Sequence, residues 1–262
     1  MSVDHPQGKV KQHCVTSDAF LGGKLNVCQP EKGFRAGVDS VLLGAAVDDA
    51  PRTLLELGAG VGVAAMTALT YCPALSTALL AEFDPEIVSI GQQNLLDNHY
   101  IERARYAVID IMSSGPERVA HGMVQDHFDS VIANPPYFDE KTVSLPNDNY
   151  GKRAHAHGID CLERWVKAAV SCARAGGEVI FIHRAAELQK LMKYYDRRLG
   201  NITILPIVSR PGQQANRVLV RGYKGSKAPC KLLSPLSLHG SEGREFTPQL
   251  QAILMGKDKL HW

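Results

Sequence analysis

The 262-residue sequence has no apolar run near the ~20 residues of a membrane-spanning helix, which excludes a helical membrane protein. Met1 to Asp18 is polar and lacks the apolar core of an export signal. The six cysteines (Cys14, Cys28, Cys72, Cys161, Cys172, Cys230) form no Cys-x-x-Cys pair, so neither a zinc site nor a disulfide framework is indicated. Reduced thiols in the cytoplasm are expected. Repeats and low-complexity tracts are also missing, and a net charge of +2 is too small to define a partner. What is there is ordinary globular material, 45% hydrophobic and 21% charged, enough for one large domain or a core with small additions. The charge is unevenly spread. Arg184 to Lys231 holds eleven Lys/Arg (184, 190, 193, 197, 198, 210, 217, 221, 224, 227, 231) against Glu187 and Asp196. Such a stretch fits a polyanionic partner or a solvated basic face.

Short apolar runs alternate with helical patterns. Strands are predicted at Thr53–Leu57, Thr77–Glu82, Tyr106–Ile109, Phe128–Ala133 and Glu178–His183. Helices are predicted at Val61–Tyr71, at Glu86–Asn98 with Pro85 in its first turn, at Leu162–Arg174 with Ala175-Gly176-Gly177 as a stop, and at Ala185–Leu199. Ser113–His127 reads as loop or poorly fixed helix. Ile202–Val208 and Arg217–Tyr223 flank a Pro-Gly turn and read as a terminal antiparallel pair. Gly22-Gly23 followed by Lys24–Gln29 suggests a hairpin, and Asp39 a cap for a short helix through Val47. The βαβ alternation implies an α/β chain with a mostly parallel sheet covered on both faces. Residues 1–50 form an N-terminal extension, 51–225 the main domain, and 226–262 a tail rich in Ser, Pro and Gly that resists reading.

Glu56-Leu57-Gly58-Ala59-Gly60-Val61-Gly62 follows the first strand of this core and opens a helix. Glycines there allow a sharp turn and close approach to a ligand, and the helix start presents free N–H groups. The crevice beyond the carboxyl ends of parallel strands is the usual ligand site of such sheets. Glu82 ends the second strand, where a carboxylate can accept from both ribose hydroxyls and would repel a 2′-phosphate; Phe83 follows it. Asp110 ends the third strand, where an acid can accept from an adenine amino group. This set resembles the class I S-adenosylmethionine (SAM)-dependent methyltransferases over about residues 53–183. The resemblance implies a Rossmann-like, mostly parallel seven-stranded sheet with an N-terminal hairpin extension, and SAM as cofactor.

Asn134-Pro135-Pro136-Tyr137 comes directly after the fourth strand. The prolines fix two φ angles and bias Asn134 away from helix. An amino group on an aromatic ring or carbonyl is a poor nucleophile, because its lone pair is delocalised. Two rigid acceptors, the Asn134 side-chain oxygen and the Pro135 carbonyl, can hold both N–H bonds and aim the lone pair at a methyl donor. Tyr137 offers a face for stacking a planar base, and Phe138 would extend it or pack in the core. The tetrapeptide resembles the loop of amino-methyltransferases acting on adenine N6, cytosine N4 or glutamine N5.

Further segments carry a narrower resemblance. They are Gln29-Pro30 with Gly33 to Leu43, Arg153-Ala154-His155-Ala156-His157, Leu162-Glu163-Arg164-Trp165, Gly176-Gly177 with Ile180 to Arg184, and Pro211 to Val220. Over about residues 20–250 the chain resembles the bacterial tRNA(Val) adenine-N6 methyltransferases, which modify the adenine 3′ of the anticodon. It departs from them at Gly158, where the family often has Glu, and Ser144–Lys152 is not diagnostic. The resemblance implies that Arg35 and Asp39 lie near the cofactor's methionine end, where Arg35 could meet a carboxylate and Asp39 an amino group. It gives stretch 184–231 a task, contacting tRNA phosphates. Catalysis is expected from Asn134, Pro135 and Tyr137, and cofactor binding from Arg35, Asp39, Glu56, Gly58, Gly60, Glu82, Phe83, Asp110 and Asn134. No metal is expected: His155 and His157 lack a third ligand, and the leaving thioether is neutral. The rival readings are a glutamine-N5 methyltransferase acting on a ribosome-associated factor, a DNA adenine methyltransferase, and an inactive SAM- or RNA-binding module.

Overall fold

The computed structural model describes residues 15–33, 35–136 and 161–262. Tyr137, Phe138, His155 and His157 lie outside them. The N-terminal hairpin pairs β1 (Val15–Phe20) with β2 (Leu25–Pro30), and α1 (Val38–Ala45) follows. Then come β3 (Thr53–Leu57), α2 (Val63–Tyr71), β4 (Thr77–Glu82), α3 (Pro85–Asp97), β5 (Ala104–Val108), α4 (Gly115–Ala120) and β6 (Phe128–Ala133). After the undescribed segment the order is α5 (Cys161–Cys172), β7 (Ala173–Arg184), α6 (Leu188–Tyr195), β8 (Leu199–Val208) and β9 (Ala215–Lys224). The tail adds β10 (Lys231–Leu232), β11 (Leu236–Ser237) and α7 (Pro248–Leu254).

The large sheet runs β10-β8-β9-β7-β6-β3-β4-β5, with β11 also on β8. β9 alone is antiparallel to its neighbours, β7 and β8. Strands β3 to β9 are the seven expected; the tail extends them with two strands of two residues each. Side chains alternate across the sheet with the two-residue strand period. Leu54, Leu80, Ile132 and Ile180 face the layer holding α1, α2 and α3, while Leu55, Leu79, Val131 and Val179 face that of α5 and α6.

Local chemistry sets the element ends. Asp84 caps α3 by accepting from Glu86 N at 2.9 Å, with Pro85 at the first helical position. The expected cap at Asp39 is corrected: Gly37 is the N-cap of α1, and Asp39 lies in its first turn. Ser113–His127 contains the six-residue α4, capped by Ser114. Ala175-Gly176-Gly177 lies inside β7, because α5 already ends at Cys172. A Cβ on Gly177 would stand 2.9 Å from the Phe128 carbonyl oxygen, so glycine admits the close approach where the β6–β7 register shifts. The tail returns over α1: Trp262 Nε1 donates to Ala46 O at 2.7 Å and Lys259 Nζ to Val47 O at 2.8 Å.

Candidate active site

β6, β3, β4 and β5 are parallel neighbours, so their carboxyl ends put Asn134, the Gly58–Gly62 loop, Glu82 and Asp110 along one edge of the sheet. At ~4.8 Å per strand this row spans about 14 Å, enough for an extended ligand.

The glycine loop is fastened from several sides. Ala59 N donates to Ala81 O at 3.0 Å, and Gly62 N to Ala59 O at 2.9 Å. Gly60 has φ +53°, and a Cβ there would enter open space, so its bare backbone borders the crevice. Glu82, 7% exposed, accepts from Gly60 N at 2.9 Å, Phe83 N at 2.8 Å and Asp84 N at 3.1 Å. Burial pushes its pKa up while these three N–H groups pull it down. A carboxylate has about four lone-pair sites, so further donors can be accepted. Phe83, at the rim, is half-exposed.

Glu56 turns inward. Its carboxylate accepts from Ala65 N at 2.9 Å, in the first turn of α2. Burial raises its pKa to about 8, and the neighbouring Glu82 charge adds to the rise. Glu56 thus braces the loop from inside. Asp110 is half-buried and accepts from Met112 N at 2.8 Å.

Asn134 follows the last residue of β6, Ala133. Its side-chain Oδ1 is buried and has no hydrogen-bond partner among the described residues. Pro135 is buried and Pro136 exposed. A buried acceptor without a donor is costly, and in native structures often marks a functional demand.

Arg35 and Asp39 have different partners. The Arg35 guanidinium is tied to the hairpin: Nη1 donates to Thr16 Oγ1 at 2.8 Å and Pro30 O at 2.9 Å, and Nη2 pairs with Asp18. Asp39 meets Arg217 Nε at 3.0 Å, and Arg217 lies directly across from Arg184 at the same end of the sheet.

Two supporting residues escaped sequence reasoning. Tyr106 Oη donates to Gly60 O at 3.0 Å, and its ring fills the space that a Cβ on Gly62 or Gly91 would need. Buried Asn94 accepts from Cys28 N at 2.8 Å and donates to Cys28 O at 3.0 Å and Val61 O at 3.1 Å, joining hairpin, α3 and loop. A glycine inside α3 opposite a strand tyrosine and an Asn on the buried face of α3 were the available signals. Among the described residues no three His, Cys, Asp or Glu side chains converge as a metal site.

The basic stretch is divided. Arg198, Arg217, Arg221 and Lys224 meet carboxylates from outside it, Glu163, Asp39, Glu178 and Asp126 respectively. Arg210 is bound to the carbonyls of Gly240 and Gly243. β9 runs away from the Asn134 end, so Lys224, seven residues beyond Arg217, is about 23 Å farther down the strand.

Known proteins share this family and fold. The family model described as "methyltransferase small domain" matches residues 36–205. A tRNA1(Val) (adenine(37)-N6)-methyltransferase of Shewanella baltica is 28% identical over 242 residues, 90% of this chain and 97% of that protein. One of the same name from a Flavobacteriaceae bacterium is 37% identical over 123 residues, 46% of this chain and 48% of that one. The crystal structure of a predicted O-methyltransferase from Agrobacterium tumefaciens superposes with a TM-score of 0.71 at 26% identity, over 85% of this chain and 98% of that one.

Proposed function

The chain belongs to the methyltransferase small domain family, and on that premise we propose that it transfers a methyl group from SAM to N6 of an adenine in tRNA, beside the anticodon. The observation carrying this reading is the buried Oδ1 of Asn134, without a partner among the described residues, directly after β6 and ahead of two prolines.

The residues along the strand ends suit the cofactor. Gly60 offers a bare, open backbone, Glu82 can accept from ribose hydroxyls, and Asp110 can accept from an adenine amino group. Asp39 suits the amino-acid end, while the hairpin bonds of Arg35 assign it more to holding the segment before α1. Glu56 acts through the loop. SAM supplies an electrophilic methyl on a sulfonium.

Asn134 Oδ1 and the Pro135 carbonyl would accept the two N–H bonds of the target amino group. Its lone pair is then turned out of the ring's conjugation and toward the methyl carbon. The prolines make this arrangement stiff before substrate arrives, so little reorganisation is needed. Tyr137 supplies the stacking face in this reading. A hydroxyl has one hydrogen and would leave one acceptor unmatched, which favours an amino acceptor.

The tRNA(Val) adenine-N6 activity named for the Shewanella protein supports adenine in tRNA as the acceptor and the cytoplasm as its place of work. The phosphate-contacting surface is assigned to the catalytic-end part of stretch 184–231, where Arg184, Lys190 and Arg217 stand, rather than to all of it. A loop base must be extruded to reach Asn134, at less cost than a paired one.

The test is incubation with radiolabelled SAM and either total tRNA or total ribosomal protein, followed by nucleoside digestion. Label in N6-methyladenosine is expected; label confined to protein would overturn the proposal. Asn134→Ala should keep SAM affinity while turnover falls at least about a hundredfold, the scale of losing an oriented hydrogen-bonding group.

A further inference from the structure

Beneath the glycine loop, on the sheet face away from α1 and α2, lies the indole of Trp165. It comes from α5, which packs against β6, β7 and β3. The ring is 1% exposed, and its Nε1 is buried with no hydrogen-bond partner among the described residues. Its six-membered edge points at Gly58. A Cβ on Gly58 would stand 2.5 Å from Cη2 and 3.2 Å from Cζ3 of the indole, and Gly58 has φ +63°. Backbone and ring are therefore in direct contact, with nothing between them.

An apolar core position filled by Phe or Leu would avoid the buried orphan N–H. Keeping an indole there makes sense if its reach is used, and the atom it reaches is the first glycine of the cofactor loop. From the other face Tyr106 holds Gly60 O and fills the space at Gly62. The loop thus rests on two aromatic side chains, one on each face of the sheet.

We propose that Trp165 is a positioning residue for cofactor binding: its indole edge is the floor that fixes the height of Gly58, and with it the Gly58–Gly60 backbone that borders the cofactor. This rests on the reading of that loop as the SAM site. It assigns no chemistry to the indole. Loop height and ring contact are coupled in both directions, so SAM occupancy must be felt at the ring.

The test is a double-mutant cycle with SAM titrated by calorimetry. Trp165→Phe should weaken SAM binding about tenfold, and Gly58→Ala more, since its methyl meets the ring. In the Trp165→Phe background the methyl gains room, so adding Gly58→Ala should cost at least about fivefold less than in the parent, the signature of contacting residues. Additive effects would overturn the proposal, because a general packing defect has no reason to be relieved by the second change.

A second measurement does not need Trp165 to be replaced. The only other tryptophan, Trp262, sits on Ala46 at the far end of α1. In Trp262→Phe, the remaining emission comes from Trp165, and saturating SAM should shift it. An unchanged spectrum at proven saturation would overturn the proposal. If the parent protein binds no SAM at all, the cofactor reading itself falls, and this inference with it.

Discussion

Replacing Glu56 by Gln should make the protein more stable at neutral pH, and by an amount that grows with pH. Glu56 is buried, and its pKa is raised from 4.5 to about 8, chiefly by desolvation. In the unfolded chain the carboxyl ionises near its ordinary value. Between these two values the folded state keeps a proton that the unfolded state has released. The group's favourable contribution is therefore complete below the unfolded pKa and is lost as pH rises toward 8. Each pH unit costs about 1.4 kcal/mol, giving about 3 kcal/mol at pH 7 and about 5 kcal/mol once pH exceeds the folded value.

Gln at position 56 has nearly the same shape, can still accept from Ala65 N, and carries no titrating proton. Urea unfolding of both proteins at pH 5, 6, 7 and 8 measures the difference directly, since groups not coupled to Glu56 cancel in the comparison. The gap should be under about 1 kcal/mol at pH 5 and widen steadily. A constant gap across that range would mean that Glu56 is ionised in the folded protein and the argument is wrong. The same variant addresses the cofactor. Unchanged SAM affinity fits action through the loop; a large loss would show direct contact.

Glu82→Ala removes the acceptor shared by Gly60, Phe83 and Asp84, so SAM affinity measured by calorimetry should fall; an unchanged affinity would refute its ribose role. Asn94→Leu leaves Cys28 N, Cys28 O and Val61 O without this partner, and should destabilise the protein by about 3 kcal/mol in urea titration. Binding to tRNA should weaken steeply with salt, and Arg217→Ala should lower the slope of log K against log salt by about 1. Lys227→Ala, at the remote end of β9, should leave that slope unchanged; equal effects from both would contradict the division of the basic stretch.

Much of the fold was legible because it depends on local rules. Thr53–Leu57, Thr77–Glu82 and Phe128–Ala133 were read from short apolar runs and appear with those bounds. Pro85 marked the start of α3. Asn134, Glu82 and Asp110 were legible as strand-end polar residues, because parallel strands all deliver their carboxyl ends to one edge. Tyr106, Asn94 and Trp165 were not. Each acts on a backbone atom far away in the chain, and a single sequence gives no distance between residues 106 and 60, or 165 and 58. Glu56 shows the intermediate case. Its place before the glycines was plain, but its direction depends on burial against Ala65, which follows only from the packed helix.

The basic stretch is divided in space for a related reason. Charge counted along a chain assumes that neighbours in sequence remain neighbours in space. β8 and β9 form an antiparallel pair, so residues 199–224 go up to the Asn134 end and back down. The cations are thereby carried to opposite ends of the strands, and acids from α1, α5 and the loops before β3 and β6 reach several of them. Glu178, inside β7, complicates the count further: burial raises its pKa while Arg221, at 3.8 Å, favours its charged form. An excess of positive charge in sequence therefore does not make a surface. For a tRNA the proposed surface is the smaller group at the Asn134 end, Arg184, Lys190 and Arg217, within which Arg217 is paired with Asp39 and Lys190 with Glu187. In the proposed reading a polyanion bound there would have its target base over the Asn134-Pro135 acceptors, whereas one bound around Lys224 would be held some 20 Å from them.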